Sequence, residues 1–413
     1  MNTTILHTTK YKNSPLGLIP EDWEVKKIGK ITKTTAGGTP STNRSEYWNG
    51  KIKWMSSGDL NLKRVFDVGG RITEIGLKNS STKLIPVKCI LIGLAGQGKT
   101  RGTVAMNMVE LCTNQSVAAI FPSNEFYEEY LYHNLDFRYF ELRQLSTGDG
   151  GRGGLNLNII NSIPVPIPPL PEQKAIADCL STWDKAIEKQ TALIAQKELS
   201  KKALMQQLLS GKKRLKGFSG EWKILGLNEV SDVRDGTHES PKYIENGVKF
   251  ITSKNIKDGE LDFSSISYIS KEDADNFDRR SKVHKGDILI SMIGTIGNSV
   301  LINYEPDFCI KNVGLIKSKK IEATFLIQYF HSTLFQNYLL GQQDGGIQKF
   351  ISLSGLRNLK VPYPSKEEQT AIANVLQCVD DEIQLLKKKL NQLKEQKKGL
   401  MQVLLTGKKR LKY

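Results

Sequence analysis

Cysteine is scarce in this chain of 413 residues: Cys89, Cys112, Cys179, Cys309 and Cys378, with no two in a CxxC pair. That argues against a disulfide framework or a zinc ribbon and fits a reducing compartment. The histidines, His7, His133, His238, His284 and His331, show no metal-ligand spacing. Long apolar runs are missing too. The longest candidate, Cys89 to Ala95, is far short of a membrane span, and the opening MNTTILHTTKYKN has no apolar core of signal-peptide length. The expectation is a cytoplasmic protein without a membrane partner. Catalytic constellations are absent as well: no GxSxG elbow, no Cys–His pairing and no NPP motif of an amino-methyltransferase. Acid is short relative to base, 43 Asp and Glu against 59 Lys and Arg, a net charge of +16. Such a balance favours polyanion partners, nucleic acid first.

What the chain does have, it has twice. EQKAIADCL from Glu172 and EQTAIANVL from Glu368 open two copies of one segment, and MQQLLSGKKRLK and MQVLLTGKKRLK close them at Lys216 and Lys412. Matched residues stand 196 positions apart without a gap. Roughly half of about 45 aligned positions are identical, far above chance. Each copy carries a narrow apolar seam at alternating four- and three-residue steps, the mark of a coiled coil. In the first it comprises Ile176, Leu180, Trp183, Ile187, Gln190, Ile194, Leu204 and Leu208. In the second it comprises Ile372, Leu376, Val379, Ile383, Leu386, Leu390, Leu393, Leu400 and Leu404. Lys201 and Lys397 interrupt both seams at the same place, as register-setting polar residues would. Ser365 and Glu368 have capping-box spacing, and Gly211 and Gly407 stand where a left-handed cap is needed. Two helices of about 38 residues are expected, each about 57 Å long.

The intervening segments repeat more faintly: KWMSSGDL with KFITSKNI, KCILIGLAGQG with GDILISMIGTIG, NQSVAAI with IKNVGLI. Short apolar runs between Gly, Asn, Asp and Ser clusters predict strands and turns, with helical pattern at 125–143 and 322–340. Proline-rich IPVPIPP and VPYP predict an extended strand just ahead of each long helix. The fold class is therefore mixed α/β: two globular domains (1–169 and 217–364) alternating with two helical segments (170–216 and 365–413). The helices are expected to pair as an antiparallel coiled coil about a pseudo-twofold axis.

One motif points elsewhere. Gly93–Thr100 reads GLAGQGKT, a full match to the phosphate loop of nucleotide hydrolases, with Lys99 placed to reach the outer phosphates. The next residues, RGTVAMNMVEL, do not begin like a helix, and the matching stretch SMIGTIGNSVLIN lacks the lysine. A glycine-rich hairpin is the better reading; a phosphate-loop NTPase is the alternative, tested by ATP binding and its loss in Lys99→Ala. GDGGRGG at 148–154 is a loop and not a dinucleotide fingerprint, since it does not open a helix after a strand. Glu172 and Lys174 form a nuclease-like acid-x-lysine pair, but at a helix start that the second copy fills with Glu368 and Thr370, so helix capping is the expected role. A coiled-coil scaffold without DNA contact is a third reading, which two large unlike domains make hard to justify.

PLPEQKAIADCL, SKEEQTAIANVL, the doubled LLSGKKRL-type ending, IPEDW near the start and RDGTHES from Arg234 together resemble the specificity subunits of type I restriction–modification enzymes. The resemblance covers essentially the whole chain. It implies a non-catalytic subunit whose two target-recognition domains each read half of a split DNA sequence, with the paired helices setting the gap. It also implies docking of two methyltransferase subunits, with restriction and translocase subunits able to join. S-adenosylmethionine, ATP and magnesium are then expected on the partners and no cofactor on this chain. Double-stranded DNA needs Lys and Arg on phosphates, and amides, hydroxyls and guanidiniums on base edges. The candidates in the first domain are Thr39, Ser41, Asn43, Arg44, Ser57, Asp59, Gln97, Lys99, Arg101, Gln115 and Arg152. In the second they are Thr237, His238, Ser253, Lys254, Asn255, Thr295, Asn298, Lys311, Asn312, Gln348 and Lys349. Tyr47, Trp48 and Trp54 are expected to pack and not to stack on bases.

Overall fold

The computed structural model of the chain describes residues 10–96, 100–145, 154–257, 259–341 and 350–411. They divide into two compact units, 1–190 with 389–413, and 191–388. The division runs across the long helices, so each unit holds one globular segment and half of each helix.

In the first unit a sheet of mixed direction runs in the order Thr34–Ala36, Val117–Ile120, Ile90–Gly93, Val104–Asn107, Arg64–Val65. Ile90–Gly93 is buried on both faces, which explains its unbroken apolar run. Ile90 and Ile92 pack with Leu131 and Leu135 of the helix Glu128–Phe137, whereas Leu91 packs with Met55, Leu60 and Val65 on the other side. A smaller sheet runs in the order Cys112–Thr113, Trp48–Met55, Arg71–Ile72.

The second unit repeats the plan. Its main sheet runs Ser231–Asp235, Val313–Ser318, Ile288–Ser291, Ser299–Leu301, and its smaller sheet Ser267–Ile269, Val248–Thr252, Phe308–Lys311. Ile288 and Ile290 face Phe325, Phe330 and Leu356, and Leu289 faces Ile251, Ile310 and Leu315. As the prolines predict, Pro164–Ile167 and Lys360–Tyr363 are extended. Each pairs antiparallel with a strand near the start of its domain, Glu24–Lys27 or Lys223–Gly226, in a two-stranded ribbon where a missing N–H does little harm.

The long helices span Leu170–Leu209 and Lys366–Leu404, 40 and 39 residues. Within the first unit Ile176 and Leu180 pack with Leu400, Met401, Leu404 and Leu405. Within the second, Leu204, Met205 and Leu208 pack with Ile372 and Leu376. Ile194 and Ile383 are buried, and Trp183, Ile187, Val379 and Leu390 half-buried. Lys397 bonds Asp184 at 2.5 Å in one unit; Lys201 bonds Asp380 at 2.5 Å and Lys197 bonds Glu382 at 2.9 Å in the other. Rising numbers on one helix meet falling numbers on the other, so the pairing is antiparallel. The two interrupting lysines are thus cross-helix ion pairs. Gly211 and Gly407 take φ of +69° and +71°, the left-handed caps their position predicts.

Glu172 departs from its expected capping role. Its buried carboxylate accepts from Arg410 Nε at 2.5 Å, Arg410 Nη2 at 2.6 Å and Trp23 Nε1 at 3.0 Å, binding the tail beyond the second helix. Arg410 also bonds both oxygens of Asp22, at 2.9 and 2.8 Å, and these bonds hold that carboxyl below its usual range. Glu368 does the same in the second unit, with Arg214 at 2.6 and 2.7 Å and Trp222 at 2.9 Å. Only the Ser365 half of the expected capping box forms, with Glu368 N donating to Ser365 Oγ at 3.3 Å.

Candidate nucleic-acid interface

In both units three turns meet at one end of the main sheet. The first comes directly after the leading strand. In the first unit Gly37 and Gly38 lie against the backbone of Thr113 and Thr82, where a β-carbon would stand 2.0 and 2.6 Å from main-chain atoms. Gly236 lies as close to Ile310 O in the second, at 2.4 Å. These contacts are why glycine is needed there. The chain then turns outward through Thr39, Ser41, Asn43 and Arg44, all exposed, or through Thr237, which is buried, and His238, which is exposed. Trp54 Nε1 donates to Gly38 O at 3.0 Å and Trp48 Nε1 to Ser41 O at 3.1 Å, with the two rings edge to face at 5.1 Å. Tyr47 is buried. The aromatics brace the loop, as expected.

The second turn is a short 3-10 helix, Ser57–Leu62 in the first unit and Ser253–Asn255 in the second, closed by a capping box. Asp59 accepts from Ser56 N at 2.8 Å and Ser56 Oγ at 2.9 Å. Asn255 accepts from Thr252 N at 2.9 Å and Thr252 Oγ1 at 3.0 Å, and donates to Asp262 O at 3.0 Å. The matched pair Asp59 and Asn255 is therefore engaged inside the turns, and Asn255 is buried. Ser57 and Ser253 are half-buried beside them and Lys254 is exposed.

The third turn carries Gln115 in the first unit and Lys311 and Asn312 in the second. Thr39 Oγ1 donates to Gln115 Oε1 at 2.5 Å. In the second unit Asn312 N donates to Thr237 O at 3.1 Å, Ser253 Oγ donates to Asn312 O at 3.0 Å, and Lys311 Nζ donates to Ser240 Oγ at 2.6 Å. So Thr39 and Gln115 meet in one unit, and Thr237, His238, Ser253, Lys311 and Asn312 in the other. Thr295 is exposed on the turn between Ile288–Ser291 and Ser299–Leu301, whereas Asn298 donates to Ile256 O at 3.1 Å. Arg101 is half-buried. Gln97, Lys99, Arg152, Gln348 and Lys349 lie outside the described residues.

The phosphate-loop alternative fails on what surrounds it. Gly93–Thr100 joins strand Ile90–Gly93 to its antiparallel neighbour Val104–Asn107, so the segment leads into a strand and not into the helix whose amides would hold phosphate. Residues missed from sequence are Asp235 and Arg280, which hold His238 from behind. Asp235 Oδ2 is 2.9 Å from His238 Nε2, and Arg280 bonds its other oxygen. The RDGTHES match drew attention to the segment but not to the arginine, which comes from a separate helix, Lys271–Ser281.

Exposed amides, hydroxyls and ammonium groups on braced turns suit hydrogen bonding to a polar polyanion. The family model for the type I restriction modification DNA specificity domain matches residues 20–196 and 219–395, and the chain belongs to that family. It is 29% identical over 416 residues to the type I restriction enzyme MjaVIII specificity subunit of Methanocaldococcus jannaschii, covering 95% of this chain and 94% of the relative. Its fold is similar to a chain from a structure of the type I restriction–modification system (TM-score 0.62, 19% identity, 94% and 99% covered). It is also similar to the S subunit from M. genitalium (TM-score 0.57, 16% identity, 96% and 99% covered).

Proposed function

We propose that the chain is the sequence-specific DNA-binding subunit of a type I restriction–modification complex, without chemistry of its own. Each globular domain reads one half of a bipartite target through its three turns. The observation that carries this reading is the contrast within the repeat: buried fittings match, while the exposed turns carry Thr39 and Gln115 in one domain and His238, Lys311 and Asn312 in the other. Two readers on one scaffold would diverge in this pattern. The net charge of +16 supplies the sequence-independent part of the affinity.

The paired helices set the unspecified gap and, with adjoining domain surfaces, dock two methyltransferase subunits, to which two restriction and translocase subunits add. S-adenosylmethionine, ATP and magnesium belong to those partners, and the complex works in the cytoplasm. The test is co-expression with a methyltransferase subunit and then methylation-site sequencing. A split target with two fixed halves supports the reading. A stable complex that methylates without sequence preference, or a single unsplit target, contradicts it.

A further inference from the structure

His238 sits between two acceptors. Its Nε2 is 2.9 Å from Asp235 Oδ2 and its Nδ1 is 2.6 Å from Asn312 Oδ1, while the ring itself stays largely exposed. Asn312 is fixed elsewhere: its backbone has φ of +52°, a left-handed value asparagine tolerates, and both its N–H and its carbonyl are bonded, to Thr237 and Ser253. What remains free to change is which end of its amide faces outward.

We propose that the proton on His238 decides which edge of the Asn312 amide is offered to DNA, making His238 a positioning residue for sequence preference in the second domain. This rests on the reading that the three turns face DNA. A doubly protonated ring donates to Asp235 and to Asn312 Oδ1, leaving the Asn312 Nδ2 hydrogens outward for a purine N7 or O6. A neutral ring keeps its one hydrogen on Nε2 for Asp235 and leaves a bare Nδ1, which accepts only from Nδ2. The amide then turns over and presents Oδ1 to an adenine N6 or cytosine N4 donor. Asp235 on the leading strand bonds the ring and is itself bonded by Arg280 from helix Lys271–Ser281. Glu239 follows His238 in the same loop, Lys311 precedes Asn312 in the third turn, and Lys254 follows Ser253, whose hydroxyl donates to Asn312 O. Among the described residues the first domain has no such device at the matching place. Pro40 comes after Thr39 where His238 comes after Thr237, and the Thr39 hydroxyl that holds Gln115 does not titrate in this range.

The experiment reconstitutes the full chain with its methyltransferase and sequences methylated sites from a random library at about pH 6 and about pH 8. At one position of the second half-site the base preference is expected to shift by roughly tenfold or more. The first half-site should not move. His238→Gln should remove the shift, and Asn312→Gly, which keeps the left-handed backbone, should remove the preference. An unchanged preference in the wild type, or a shift that survives His238→Gln, overturns the proposal. A second measurement needs no DNA: the Asn312 side-chain amide signal of the free chain, identified by its loss in Asn312→Gly, should move with pH and stand still in His238→Gln. A stationary amide overturns the proposal at its root. An amide that turns over with no change in site preference overturns it too, because this face then does not read DNA.

Discussion

Arg410 with Glu172 and Trp23 in the first unit, and Arg214 with Glu368 and Trp222 in the second, repeat one another bond for bond. The interrupting lysines do likewise, and so do the glutamines behind the helix starts. Gln173 Oε1 accepts from Tyr127 N at 2.8 Å and Gln369 Oε1 from Glu322 N at 2.8 Å. The turns at the end of the sheet keep Thr39 with Thr237, Ser57 with Ser253 and the two capping boxes, but differ where Pro40 stands against His238 and Gln115 against Lys311 and Asn312. A buried charge must keep its partner or be destabilising, whereas an exposed amide on a braced turn can be exchanged at little cost to folding. The repeat is therefore sharp where the chain holds itself and blurred where it meets something else.

The largest effect that would break this comparison is at the first anchor. Arg410→Ala leaves Glu172 buried and unpaired, and should destabilise the first unit by about 3–5 kcal/mol, seen as an early transition in thermal unfolding. Arg214→Ala should act in the same direction on the second unit but more weakly, because Arg214 is the more exposed of the two arginines. Equal losses would mean that the fittings are interchangeable despite their different burial.

Acid should separate the units next. His133 is fully buried beside Asp184, and burial, with Lys397 and Arg64 nearby, depresses its pKa to about 2. The unfolded chain takes up the proton below the ordinary pKa near 6.5 while the folded one does not. Stability contributed by the neutral ring is thus present above that pH and falls, at about 1.4 kcal/mol per pH unit, as pH drops from there towards the folded value. The second unit has Gln328 in this place, donating to Asp380 at 3.0 Å. It does hold His331, lowered by burial, but a hydrogen bond to Ser299 O opposes that shift. His133→Gln should make acid unfolding of the first unit resemble that of the second. An unaltered acid profile would mean His133 is not the source.

A smaller effect tests the reading surfaces. Lys254→Ala and Lys311→Ala should each reduce the salt slope of DNA binding by about one, with little change in thermal stability. A change in stability without a change in slope would mark them as parts of the fold.

The scaffold was legible because its signals are local or doubled: seam spacing, capping glycines and prolines before the helices all reappear as elements. The 196-residue offset even marked Glu172 with Glu368 and Arg214 with Arg410. Their pairing was hidden because Glu172 meets an arginine 238 residues away, and nothing local distinguishes such an anchor from a helix cap. The interface was legible as a set of turns and not as side chains. Asp59 and Asn255 looked like readers because both are polar and matched, yet their turns use them internally. His238 could be picked out, but Asp235 and Arg280, which give it a direction, could not.

On the proposed reading, the helices are the spacer between two independent readers. Inserting one heptad into each, between Gln190 and Thr191 and between Lys388 and Lys389, adds about 10 Å of helix. Methylation-site sequencing of the reconstituted complex should then return the same two half-sites with a gap wider by up to about three base pairs. The same gap, or altered half-sites, would contradict it.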